Sequence, residues 1–289
     1  MIVRNTGMDL IDFLGYSFIQ RGLIAGSFIA LLCASLGVLL VLRRLSLIGD
    51  GLAHVTFGSV ALGLFLRVSP LYVSIPVVMA SALGILKLTE KARVYGDAAI
   101  GMVSAIGIAA GILIANLAGG FNIDLFSYLF GNILAISTAD VFVSITLALV
   151  VLGVIILFYH ELFSVSFDEE FAETTGIDTE KINVMLVLLT AVTVVLAMKV
   201  VGIMLTSALL IIPAITAFQI ARGFKNSMIV ASIVAMLSVV SGISLSFFLN
   251  LPTGSTIVVM NFAFFLITLR SIYPFSSYCL IGSKHRVID

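Results

Sequence analysis

Charge is scarce in this chain. Asp, Glu, Lys and Arg make up 10% of its 289 residues, against about 25% in an ordinary soluble domain. Hydrophobic residues take 61%, and the mean hydropathy is +1.25. A water-soluble chain of this length could not hide so much apolar surface in one core. That excludes a soluble enzyme and a disordered tail. Neither sign of charge is in excess, with 15 basic and 15 acidic residues, so no basic face is on offer to nucleic acid. Cysteine is limited to Cys33 and Cys279, too few for a disulfide framework. Cys33 lies in an apolar run and reads as a small hydrophobe. The sequence also lacks a G-x-x-x-x-G-K-[ST] phosphate loop, an H-E-x-x-H pair, a nucleophile elbow and a cysteine cluster. It is expected to be no enzyme, with any energy from ATP supplied by another chain. No cleavable leader is expected, because residues 1–20 hold Arg4, Asp9 and Asp12 and no long apolar stretch.

What is present is a series of apolar runs. A bilayer core needs about 20 apolar residues per helix. Nine runs qualify: 22–42, 46–66, 71–88, 98–117, 139–159, 183–199, 201–221, 227–249 and 254–270. Eight spans remain if the run at 46–66, interrupted by Asp50 and His54, does not cross. The expected class is an all-α polytopic membrane protein, with residues 1–289 forming a single transmembrane domain. Residues 8–20 read as an amphipathic helix lying on the outer surface ahead of the first span.

Orientation follows the basic residues. With the N-terminus outside and the C-terminus cytoplasmic, 11 of the 15 fall inside: Arg43, Arg44, Lys87, Lys91, Arg93, Lys181, Arg222, Lys225, Arg270, Lys284 and Arg286. Arg4, Arg21, Arg67 and Lys199 fall outside. The opposite topology inverts the ratio.

Two connections are more than connectors. Residues 118–138 lie outside and are too apolar for a plain loop. A short helix over 124–134 is expected there, either dipping into the interface or anchored on the surface by Phe126 and Tyr128. Residues 160–181 lie on the cytoplasmic side and hold Glu161, Asp168, Glu169, Glu170, Glu173, Asp178 and Glu180, which is 7 of the 15 acids. Acids contribute little to topology, so their concentration here has another cause. FDEEFAETTG reads as a short helix with acids in its first turn, a stop at Gly176, and Phe167 and Phe171 on one face. Such a helix is a docking element for a partner; a solvated acidic loop is the competing reading.

Ionisable residues inside a span default to function. Asp50 and His54 in LIGDGLAHVTFG are four apart and share a helix face. A carboxylate and an imidazole so placed can hold one transition-metal ion, zinc or manganese. Counted from Arg44 at about 1.5 Å per residue, His54 lies about 15 Å in, near the midplane of a core about 30 Å thick, where transporter sites tend to sit. The other reading has Asp50 serving the helix start and His54 bonded to nearby backbone. Lys199 reads as an outer-end lysine and Asp97 as a helix-start acid. Asp124 and Asp140 lie near the outer face, where they attract a cation or simply face water. His160 and His285 lie at the cytoplasmic boundary without an evident role. Pro213 breaks the seventh span, either freeing carbonyls to line a path or serving packing. Gly22–Gly26 and Gly107–Gly111 are small-xxx-small pairs that say nothing about dimers.

Four segments resemble the ABC-type zinc/manganese uptake permease family, in family order: RRLSLIGDGLAHVTFGSVALGLFL, NIDLFSYLFGNILAIS, FDEEFAETTGI and VGIMLTSALLIIPAITA. The resemblance covers almost the whole chain. It implies the ABC importer permease fold, a pathway along the axis of a homodimer or of paired permeases, two cytoplasmic ATPase subunits, and an extracytoplasmic metal-binding protein. It implies a prokaryotic inner (cell) membrane location and no permanently bound cofactor, with zinc or manganese as transported substrate. The family's metal-contacting acid and histidine fall on Asp50 and His54. Its coupling segment falls on Phe167, Asp168, Glu170, Ala172 and Gly176. DLFSYLFGNILAI and LAMKVVG are most similar to the zinc branch. One departure is Asn132, which stands where some relatives carry an acid.

Zinc import is therefore the expected function, with manganese or iron import by the same family as the alternative. A permease for a larger metal chelate would not need the Asp/His pair. A gradient-driven metal carrier would show inverted repeats and more intramembrane acids. A non-transporting scaffold would leave Asp50 and His54 without a role.

Overall fold

The computed structural model describes residues 15–90, 92, 94–118, 131 and 136–272. Among these residues the chain forms eleven helices and no strand. They are α1 (Ser17–Leu42), α2 (Ile48–Phe65), α3 (Pro70–Glu90), α4 (Gly96–Leu117), α5 (Thr138–Leu157), α6 (Tyr159–Phe167), α7 (Glu169–Thr174), α8 (Thr179–Val201), α9 (Ile203–Ile220), α10 (Phe224–Leu249) and α11 (Thr253–Ile272). All but α6 and α7 are long and apolar enough to cross a bilayer, giving nine candidate spans among the described residues. The run at 46–66 is one of them, despite Asp50 and His54.

Polar residues placed at the ends set the helix boundaries. Ser137 caps α5 in a reciprocal box with Asp140: the Asp140 N–H donates to the Ser137 hydroxyl, and the Ser137 N–H donates to the Asp140 carboxylate. Asp178 caps α8 by accepting from the Lys181 N–H at 3.1 Å. The Lys181 ammonium and backbone N–H both hold the exposed Asp178 carboxyl below its ordinary value. Gly202, at φ +86°, makes the one-residue break between α8 and α9. Asn250, in the left-handed region, ends α10.

The first span begins five residues earlier than the hydropathy suggests. Ser17–Gln20 form the opening turn of α1, so they are not part of a separate surface helix; residues 8–14 lie outside the described residues. The short helix expected over 124–134 also lies outside them, apart from Gly131.

α1 is the centre of the bundle. It is buried nearly all round between Ala25 and Leu40 and touches α5, α6, α8, α9 and α10. α2 packs on α3, α4, α8 and α9. Small residues permit the closest approaches. A Cβ on Gly107 of α4 would stand 2.8 Å from the Val55 Cα of α2, and one on Gly37 of α1 would fall on the Leu210 carbonyl oxygen of α9. The Gly107–Gly111 pair thus seats α4 on α2 within one chain, and Gly26 meets Val239 and Ile243 of α10. α4, α5 and α11 leave most of their apolar side chains uncovered, as suits helices whose outer faces meet lipid.

Candidate functional site

α2 starts at Ile48, so Asp50 sits in its first turn and His54 one turn later. The His54 Nε2 lies 3.5 Å from the Asp50 Oδ2. The other carboxylate oxygen, Oδ1, accepts a hydrogen bond from the Ser207 hydroxyl of α9 at 3.2 Å. Both ring and carboxylate stay accessible, with side chains 27% and 44% exposed. The pair is therefore aimed at open space rather than locked in the core. Leu47 on the turn before α2 and Met204 and Ile215 on α9 are exposed as well, so the chain leaves part of both helix faces uncovered. Among the described residues no third His, Cys, Asp or Glu joins the pair.

His54 lies about 9 Å along α2 from Ile48, nearer that helix's start than its far end. The expected 15 Å assumed continuous helix from Arg44. Residues 43–47 instead form a tight turn, with Arg44 at φ +57° and the Leu45 N–H donating back to the Leu40 carbonyl.

The acidic connection is also built, though differently from the expectation. Asp168, at φ −152°, separates α6 from α7. Phe167 ends α6 and Phe171 lies in α7, so they do not share a face of one helix as expected. Phe167 stacks near Phe163 and Phe224 at ring distances of 4.7 and 6.4 Å, which ties α6 to the start of α10. Phe171 is exposed. Asp168 caps α7 by accepting from the Phe171 N–H at 2.9 Å. The Gly176 N–H donates to Glu173 and the Ile177 N–H donates to Ala172, with Gly176 at φ +88°. This pair of bonds closes the helix as a Schellman motif. Ala172 is fully buried and seats α7; Glu170 projects into solvent.

A polar network underlies this short helix. Arg43 Nη2 lies 3.5 Å from Glu169 Oε2. The Asn183 amide donates to Glu169 Oε1 at 2.6 Å and to Glu90 Oε1 at 3.1 Å. Burial pushes the Arg43 guanidinium down from its ordinary value, while the charges of Glu169 and Glu90 oppose the shift; an arginine stays protonated through such a change. At the opposite ends of the spans, Lys199 Nζ donates to Asp140 Oδ1 at 2.6 Å, joining α8 to α5. Lys199 is thus paired rather than simply reaching for water.

Pro213 is buried inside α9, which runs from Ile203 to Ile220 without the expected break, so the proline packs among helices. Asn261 of α11, fully buried, accepts from Ser238 and donates to the Ala208 carbonyl beside Ser207. Asp97 sits in the first turn of α4. Asp124 and Asn132 lie outside the described residues, as do Cys279 and His285.

Sequence reading missed Ser207, because a serine in an apolar helix usually bonds only to its own backbone. It also missed the partners of Arg43, Glu90 and Asn183, which only the tertiary structure brings together.

The model of the ABC 3 transport family matches residues 15–271. The chain belongs to this family. It is 31% identical over 274 residues to the manganese transport system membrane protein MntC of Listeria monocytogenes, covering 95% of this chain and 97% of that one. It is 33% identical to the high-affinity zinc uptake system membrane protein ZnuB of Haemophilus influenzae, covering 88% and 97%. Among solved structures, PsaBC from Streptococcus pneumoniae in complex with Fab matches with a TM-score of 0.80 and 32% identity, over 90% of this chain and 94% of that one. As a family member the chain is a multi-pass membrane permease, and ATP is hydrolysed by a separate chain. That sets aside the gradient-driven carrier.

Proposed function

We propose that this permease imports zinc, with Asp50 and His54 as the ligands the ion meets inside the membrane. The observation that carries the reading is their separation of 3.5 Å. Two ligands each about 2.0–2.2 Å from a zinc ion, set at the tetrahedral angle, stand about 3.4 Å apart. Two ligands do not complete a tetrahedral site, and an ion that must leave again is better held by few. Manganese is the second reading, because MntC, 31% identical, is named for manganese transport; ZnuB, 33% identical, is named for zinc uptake.

The same reading makes residues 1–289 one transmembrane permease domain in a prokaryotic cell membrane, with its N-terminus outside and its C-terminus cytoplasmic. The Arg43, Glu90, Glu169 and Asn183 contacts gather the connections after the first, third and fifth spans on one face, which supports this alternation. A second copy of the chain would cover the open faces of α2 and α9 beside the site. Two ATPase subunits would dock on α7 and its flanks, through Phe167, Asp168, Glu170, Phe171 and Gly176; Ala172, expected among these contacts, is fully buried and seats the helix beneath them instead. An extracytoplasmic binding protein would deliver the ion.

The test is uptake of zinc and of manganese into proteoliposomes holding the permease, its ATPase and its binding protein, with and without ATP. ATP-dependent uptake that prefers zinc supports the proposal. A preference for manganese moves it to the second reading, and uptake without ATP overturns it.

A further inference from the structure

We infer that the Arg43–Glu169 ion pair is the link through which movement of α7 reaches the turn that carries Asp50. The inference rests on the proposed function, in which α7 meets the ATPase and Asp50 meets the ion.

Arg43 closes α1, and its side chain is only 10% exposed. Arginine is almost never buried unless paired. Its partner, Glu169, is the first residue of α7 and stands 126 positions away in the chain. The second oxygen of Glu169 accepts from Asn183 of α8, whose amide also donates to Glu90 at the end of α3. The Arg43–Glu169 contact at 3.5 Å, with Glu169 half exposed, and the two Asn183 bonds together fasten α7 to the ends of α1 and α3 and the start of α8.

The segment joining Arg43 to α2 has no slack. The Leu45 N–H donates to Leu40 at 2.9 Å and the Ile48 N–H donates to Leu45 at 3.0 Å. α2 starts directly afterwards, and Asp50 lies in its first turn. A displacement of Arg43 must therefore move the start of α2, and Asp50 with it. The neighbouring attachment is different in kind. Phe163 and Phe167 meet Phe224 edge to face, through uncharged ring contacts that have a preferred geometry but no hydrogen bond. They permit sliding where a charged, hydrogen-bonded pair transmits a pull.

The experiment compares zinc ions moved per ATP hydrolysed by the complete reconstituted transporter carrying wild-type permease, E169Q, E169D or R43K. Gln at position 169 retains an oxygen for Asn183, so E169Q removes the ion pair and keeps that hydrogen bond. The expected result is a fall of about tenfold in ions per ATP for E169Q, with the ATPase still co-purifying. E169D and R43K preserve both charges and stay within about threefold of wild type. Wild-type coupling in E169Q overturns the link while leaving the proposed function intact. So does an equal fall in the charge-preserving variants, because it makes the role one of shape alone. A wild-type transporter that hydrolyses ATP and moves no zinc overturns the proposed function, and the link with it.

Discussion

Ser207 and Asp50 meet at 3.2 Å although 157 positions separate them. The bond joins α9 to the first turn of α2 and occupies one carboxylate oxygen, leaving the other directed toward His54. A side chain that orients a ligand in this way acts as its outer-shell partner. A hydrogen bond of this kind contributes about 1 kcal/mol net, or about fivefold in an equilibrium constant. S207A is therefore expected to raise the zinc concentration for half-maximal uptake about fivefold, with assembly unchanged. The zinc dependence of uptake by the reconstituted transporter checks this, and an unshifted curve would remove Ser207 from the site.

The pair itself has no substitute nearby, since no third metal-binding side chain joins it among the described residues. D50A and H54A should each abolish metal uptake and leave the permease folded and bound to its ATPase. D50N is the more informative variant. It retains an oxygen for the Ser207 hydroxyl and nearly the same volume, but loses the charge. Uptake by D50N should fall at least as far as with H54A. Uptake at the wild-type rate in any of the three would sink the site assignment. The readouts are uptake and co-purification of the same preparations.

Much of this molecule is legible in its residues alone. In a bilayer the backbone must satisfy itself within each helix, so length and hydropathy place nine spans, most within a few residues of their ends. Asp50 and His54 stand out for the same reason: a charge inside an apolar run is costly. The acidic helix is legible through its first-turn acids and its glycine stop. The errors share a cause. Counting from Arg44 overstates how far along α2 His54 lies, because a tight turn at 43–47 looks, in hydropathy, like more helix. The i, i+4 spacing of Phe167 and Phe171 assumes one helix where Asp168 interrupts two. Ser207, Glu90 and Asn183 carry no local signal, since their roles come from residues far away in the chain.

The proposed coupling helix α7 is only six residues long, so it depends on its ends more than on its own length. Removing an N-cap carboxylate costs about 1 kcal/mol, enough to fray a helix this short. D168A should therefore weaken ATPase binding, whereas D168N, still a good cap, should not. F171A and E170K should weaken it with the helix intact, because both side chains point outward from it. Pull-down of the ATPase with each variant decides the matter. Normal binding by F171A and E170K would mean that the acidic connection is solvated surface only.

Gly107 offers a test of how packing sets the site. A methyl group there would stand 2.8 Å from the Cα and 2.9 Å from the N of Val55. Backbone cannot rotate aside, so α4 and α2 would have to part. Overpacking of this kind costs about 1–3 kcal/mol. Val55 directly follows His54, so the displacement would also disturb the proposed ligand. Gly84 of α3 is the matched control: a Cβ there meets no atom within 4 Å, and alanine favours helix over glycine by about 1 kcal/mol. G107A should lower the unfolding temperature in detergent by several degrees and weaken zinc binding. G84A should leave binding unchanged and match or exceed wild-type stability. Equal melting of the two variants would mean that the α2–α4 contact is looser than its geometry implies. Lower stability with unchanged zinc affinity in G107A would mean that the site does not depend on how α4 seats α2.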